Sequence, residues 1–250
     1  MSVLALTAVH ARYSILETLR TPIAVIGTLA LPALTILFFV VPQEVVAGNP
    51  VAATQAVISL CVFSVMIGSL FSFGIGIAEN REKAWEPYLR TLPAPGIVRV
   101  LAHILSTGAI AFVALVPLLV IGAFLTSATA EPLPFLWGIV MIVLSSLPFM
   151  LLGMAIGYSL SVKAAIAVVQ VVFFALAFGG GLFLPPMLFP TWLDTLSGFL
   201  PSRQARDLVI WAVQGGQLQP LTVIGLVAWI GILLLVVLAL VRRDEGRRYR

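Results

Sequence analysis

The 250-residue chain is 61% hydrophobic and only 10% charged, where a soluble domain carries roughly 25% charge. Such a chain cannot cover itself with charge against water, so composition excludes an ordinary soluble domain and calls for lipid as solvent. A net charge of +4 would suit nucleic acid, but the basic residues sit in short segments between apolar runs, the pattern of a membrane surface.

Crossing a bilayer core takes about 20 mostly apolar residues. Six windows free of charged residues meet that length: Ile23–Val41, Val51–Ala78, Val100–Thr126, Pro134–Leu160, Ala164–Leu184 and Leu221–Val241. The first follows His10, Arg12, Glu17 and Arg20 and contains Pro32. It is longer than the apolar core of a secretory leader, so it reads as a retained span. Pro117 and Pro148 also fall within spans, where neighbouring helices can satisfy the freed carbonyls. Gly68, Gly74 and Gly76, and later Gly153 and Gly157, offer surfaces for close helix approach.

The second window leads into Glu79–Pro93. There Trp85, Tyr88, Leu89 and Leu92 follow the spacing of one helix face, and Glu79, Glu82, Lys83, Glu86 and Arg90 decorate the rest. Pro87 suits a first turn and not a helix interior, which predicts a short helix restarting near Glu86. An amphipathic helix with aromatic anchors lies on a membrane or docks into a partner's groove. The mixed charge favours a protein partner.

After the fifth window the chain reads Gly179–Gly180–Gly181, then Pro185–Pro186, and the helix cannot continue. Met187–Leu200 stays mostly apolar, with one charge at Asp194. Two readings fit: short helices dipping back into the membrane, or an apolar loop resting on its outer surface. Trp192 and Trp211 suit an interfacial belt.

All of the 14 basic residues except Arg203 and Arg206 lie in 1–22, 79–99, 161–163 or the C-terminal tail. The positive-inside rule then places both ends in the cytoplasm, which requires an even number of spans. Six satisfies it.

The chemistry missing from the sequence narrows the function. No window carries an Asp, Glu, Arg or Lys, so an ion-coupled carrier or a voltage sensor lacks its usual groups. His10 and His103 have no carboxylate or cysteine at metal-ligand spacing, and Cys61 stands alone. No catalytic or metal-binding residues are assigned, and nucleic acid is not expected as a partner. Lys83 follows Glu82 and Lys163 follows Val162, so no phosphate loop of the Gly-x-x-x-x-Gly-Lys type exists. Energy for uphill movement must come from another polypeptide.

Taken in order, these segments resemble the ABC-2 type transporter permeases over essentially the whole chain, residues 1–250, as one transmembrane domain. The resemblance rests on the amphipathic start at 2–20 and on Glu82-x-x-Trp85–Glu86-x-x-Leu89 ending in Pro93. Leu152–Gly153 and the Gly-Gly-Gly-x-Phe-x-Pro segment that runs through Trp192–Leu193 to Leu200–Pro201 complete it. It implies an all-α membrane protein of six transmembrane helices, with an N-terminal interfacial elbow helix. A cytoplasmic coupling helix would lie between spans two and three, and re-entrant helices between spans five and six. Glu82, Trp85, Glu86, Leu89, Arg90 and Pro93 would then meet a separate ATP-binding subunit, which would hold ATP and magnesium. Phe183, Pro185, Pro190 and Pro201 would belong to an outer gate. Lys83–Ala84 stands where the family commonly has Gly-Thr, and Pro87 is unusual there. The resemblance further implies a bacterial inner membrane and a second permease copy or homologue as partner. Export of an amphipathic drug, lipid or peptide is the expected activity, with a scaffold or sensor subunit and a secondary carrier as alternatives.

Overall fold

A computed structural model describes residues 3–20, 22–83 and 96–246, and these are helical with no strand among them. The elements are α1 (Val3–Leu19), α2 (Pro22–Phe39), α3 (Glu44–Ala47), α4 (Pro50–Glu82), α5 (Gly96–Leu125) and α6 (Pro132–Ser159). They continue with α7 (Val162–Gly179), α8 (Thr191–Ser197), α9 (Pro201–Gln214) and α10 (Pro220–Gly246), and a 3₁₀ turn at Pro186–Leu188 precedes α8. Parts of α4, α5, α6, α7 and α10 are long and apolar enough to cross a membrane. The remaining predicted window, Ile23–Val41, coincides with α2, which has 18 residues and Pro32 inside it.

The axis of the fold is α4. Asn49 caps it by accepting from the amides of Val51 and Ala52 at 3.0 and 3.1 Å, and Pro50 follows at the first helical position. Its 33 residues span about 50 Å at 1.5 Å per residue. Of its most apolar stretch 72% is buried within the molecule, against 17% for α10. α4 is therefore the core helix, packed by α2, α5, α6, α7 and α9, while α10 touches mainly α6 and α9.

The tightest seam is α4 against α6. A Cβ on Gly157 would stand 2.7 Å from the Phe73 carbonyl oxygen, and one on Gly153 would stand 3.1 Å from the Ser69 oxygen. The glycines expected to allow close approach do so at Gly74, Gly153 and Gly157. Gly68 and Gly76 face Ala111 and His103 at ordinary contact distance. Above the seam, Phe63, Met66, Leu70, Leu118, Phe149 and Val169 form a nearly solvent-free core.

The fifth apolar window ends earlier than its composition predicts. α7 stops at Gly179, and Gly181 takes a φ of +73°, a left-handed conformation that favours glycine. The chain then turns through Pro186–Leu188 into α8 and α9. Short helices therefore occupy the stretch expected to be either helical or loop-like. α9 inserts among α4, α6, α7 and α10, and Ser202 Oγ donates to the Leu176 carbonyl at 2.7 Å.

Candidate functional site

The two ends of α4 carry the polar groups that composition makes scarce elsewhere. At the C-terminal end, Arg81 and Glu82 are consecutive and reach different partners. The Arg81 guanidinium donates to the Gly157 carbonyl at 3.0 Å and to the Leu160 carbonyl at 3.5 Å. It also forms a 3.0 Å ion pair with Asp244 of α10. Glu82 Oε1 accepts the Val162 amide at 3.0 Å.

The logic of these contacts lies in helix termini. The last carbonyls of α6 and the first amides of α7 have no partners within their own helices. Arg81 serves the former as a cation at a helix C-terminus, and Glu82 serves the latter as an anion at a helix N-terminus. Two adjacent residues of α4 thus hold both sides of the α6–α7 turn.

Among the sequence-predicted coupling residues, Glu82 is the described one, and it is exposed apart from this bond. Trp85, Glu86, Leu89, Arg90 and Pro93 lie outside the described residues. Their segment is bracketed by the end of α4 and by α5, which begins at Gly96.

Toward the other end, the predicted outer residues separate. The Phe183 ring sits 4.6 Å edge-on from Phe63, with Phe178 at 5.2 Å and Phe39 at 6.0 Å, joining α2, α4 and α7. The prolines act locally as starts of helical turns. The Pro185 carbonyl accepts the Leu188 amide at 2.9 Å. Pro190 caps α8, accepting from Leu193 and Asp194. Pro201 is the buried first residue of α9, while Pro185 and Pro190 are exposed.

The sequence reading overlooked Arg206. It is 7% exposed, and its Nε donates to Ser59 Oγ of α4 at 2.8 Å. Burial lowers its guanidinium pKa below the ordinary value, and the adjacent Asp207 opposes that pull through a 2.9 Å bond. Arg203 completes the cluster, reaching Asp207 at 2.7 Å and Asp194 and Ser197 Oγ at 3.3 Å each. A signal was available: Ser202, Ala205, Arg206 and Val209 share one helix face, and all four are buried. Gln204 is also buried, its Nε2 donating to the Gly198 carbonyl at 2.9 Å and its amide packed over Gly225 of α10.

A third polar group joins α1, α4 and α5. Ser72 Oγ lies 2.9 Å from Thr107 Oγ1 and 3.3 Å from His103 Nε2, and Ser14 Oγ donates to Ser106 Oγ at 3.1 Å. Among the described residues no three of His, Cys, Asp and Glu come together as metal ligands would. The arrangement offers positioning and mechanical linkage.

The amino-acid pattern of the ABC-2 type transporter family matches residues 6–213, from α1 through almost all of α9. The chain belongs to that family. The ABC-2 match includes Arg81, Glu82, Ser59 and Arg206, and Asp244 lies beyond it. The chain is also 25% identical over 231 residues to "Putative transport permease YvfS" of Bacillus subtilis (strain 168), covering 92% of this chain and 94% of that protein. An ABC-2 permease is the transmembrane component of an ABC transporter, and the family implies an ATP-binding partner. The apolar helices are those of a membrane protein.

Proposed function

We propose that this chain is the membrane-spanning permease subunit of an ATP-driven exporter whose ATP and magnesium are held by a separate subunit. The observation that carries the reading is the family match across 6–213. The charged segment after α4 supports it, because its base is fastened to three other helices by Arg81 and Glu82.

In this reading α2, α4, α5, α6, α7 and α10 are the six spans. α1 is the interfacial elbow, and both chain ends are cytoplasmic. Segment 79–93 is the coupling element, with Glu82, Trp85, Glu86, Leu89, Arg90 and Pro93 facing the ATP-binding subunit. Two permeases, identical or homologous, enclose the pathway. The α8–α9 hairpin caps its outer side, with Phe183, Pro185, Pro190 and Pro201 at the gate. ATP-driven closure of the partner subunits pushes the 79–93 segment, and α4 carries the push inward. Exposed apolar side chains such as Phe38, Val171, Phe174 and Phe178 suit amphipathic or hydrophobic cargo better than ions.

The test is co-expression with an ABC ATP-binding subunit encoded beside this chain. The expected result is a stable complex with permease-stimulated ATP hydrolysis, weakened in Glu82→Ala/Glu86→Ala. A chain that purifies alone and stimulates no hydrolysis would rule out the assignment and favour a scaffold or sensor subunit.

A further inference from the structure

The ion pair between Arg81 and Asp244 links the base of the coupling segment to the far end of the chain, 163 positions away. Its geometry differs from that of an ordinary surface bridge. Arg81 places Nε and one terminal nitrogen on a single Asp244 oxygen, at 3.3 and 3.0 Å, and the other terminal nitrogen on the carbonyls of Gly157 in α6 and Leu160 just past it. The Asp244 side chain is only 12% exposed. A planar guanidinium fork that meets a carboxylate and two carbonyls at once fixes direction as well as distance, which an ammonium cannot do.

The placement also matters. α10 is the least enclosed of the five long apolar helices, with 17% of its apolar stretch buried. Along its length it meets α6 through Leu233 and Val237, which pack with Phe73, Leu151 and Met154. Near its other end Trp229 Nε1 donates to the Phe199 carbonyl at 2.8 Å, and Gln204 packs over Gly225. Beside that apolar seam, Arg81–Asp244 fastens one end of α10 and Trp229–Phe199 the part toward the other.

We propose that Arg81 is a positioning residue that makes α10 part of the moving block: displacement of the coupling segment is passed through Arg81 to Asp244, and α10 carries it to the α8–α9 hairpin. This rests on the permease reading above. It adds a second route to the outer side, beside α4 itself, that passes through α10, which lies outside the span matched to the family.

Three spin-label pairs test this in the full chain, alone and bound to its ATP-binding subunit. The pair Lys83→Cys/Arg243→Cys reads the clamp in the isolated chain. A narrow distance distribution is expected, broadened by Arg81→Ala and by Asp244→Asn and partly restored in Arg81→Lys. The pairs Tyr13→Cys/Lys83→Cys and Tyr13→Cys/Arg243→Cys read motion against α1 when the complex is trapped with ATP and vanadate. Both should shift together in the wild type. In Arg81→Ala the shift at 83 should persist while that at 243 is lost. A shift at 243 that survives Arg81→Ala, or a wild-type 243 that stays still while 83 moves, would overturn the proposal. Absence of any shift at 83 would instead overturn the permease reading, and the first pair would still decide whether the clamp holds. The Arg81→Lys variant guards against misfolding, since it keeps the charge and loses only the fork.

Discussion

At the scale of single residues, Arg206 is the charge most fully withdrawn from water, and Arg203, Asp207 and Arg81 are half-buried around their partners. Arg206 is a buried cation whose Nε has Ser59 Oγ as its partner. Removing that acceptor leaves a buried donor with nothing to replace it, a loss of about 1–3 kcal/mol. Ser59→Ala should therefore lower the thermal midpoint of the detergent-solubilised protein measurably. Asp207→Asn should also lower it, because Asp207 offsets both Arg206 and Arg203 and its loss leaves the buried Arg206 cation without a counter-charge. A midpoint unchanged in both variants would contradict the assigned contacts. Positive-inside counting set Arg203 and Arg206 aside as loop exceptions. The spacing of Arg206 with Ser202, Ala205 and Val209 places it on the buried face of a helix. Arg81 entered the same count as one cytoplasmic charge among many. Its partners are carbonyls of Gly157 and Leu160 and a carboxylate far along the chain, and no local pattern displays that kind of bond.

Between helices, the α4–α6 seam was legible because small residues recur where helices must approach. Gly153 and Gly157 meet the backbone of Phe73 and Gly74 closely enough that a methyl group has no free space at Gly157. Gly157→Ala should destabilise the protein by about 1–3 kcal/mol through overpacking. Gly231→Ala in α10, where nothing stands within 4 Å of the added methyl, should be neutral or slightly stabilising by helix propensity. Equal unfolding midpoints for the two variants would argue against the seam. The end of α7 was less legible. Gly179–Gly181 announced weakness, but the stop at Gly179 follows from the left-handed turn at Gly181 and from Ser202 occupying the space beside Gly180. The second depends on α9, which carries enough polar residues to read as loop until its partners are known.

Over the whole molecule, composition and charge carried most of the weight. The windows near α4, α5, α6, α7 and α10 were visible as uncharged runs; α4 and α10 run on past them into charged residues such as Arg81–Glu82, while α7 stops short at Gly179. The proposed topology makes a direct claim about sidedness. Met187, 86% exposed on the α8–α9 hairpin side, should when changed to cysteine react with a membrane-impermeant thiol reagent in intact cells. Lys163→Cys should react only after permeabilisation, and the buried Cys61 should stay silent in both. Labelling of position 163 from outside would reverse the orientation. The central claim is that a separate ATP-binding subunit grips the segment after α4. It is tested most directly by placing a photo-crosslinking amino acid at Trp85 or Tyr88 and, as a control, at Trp192 in α8. The account expects light-dependent cross-links to the ATP-binding subunit from positions 85 and 88 and none from 192. Cross-links absent from 85 and 88, or equally strong from 192, would contradict it.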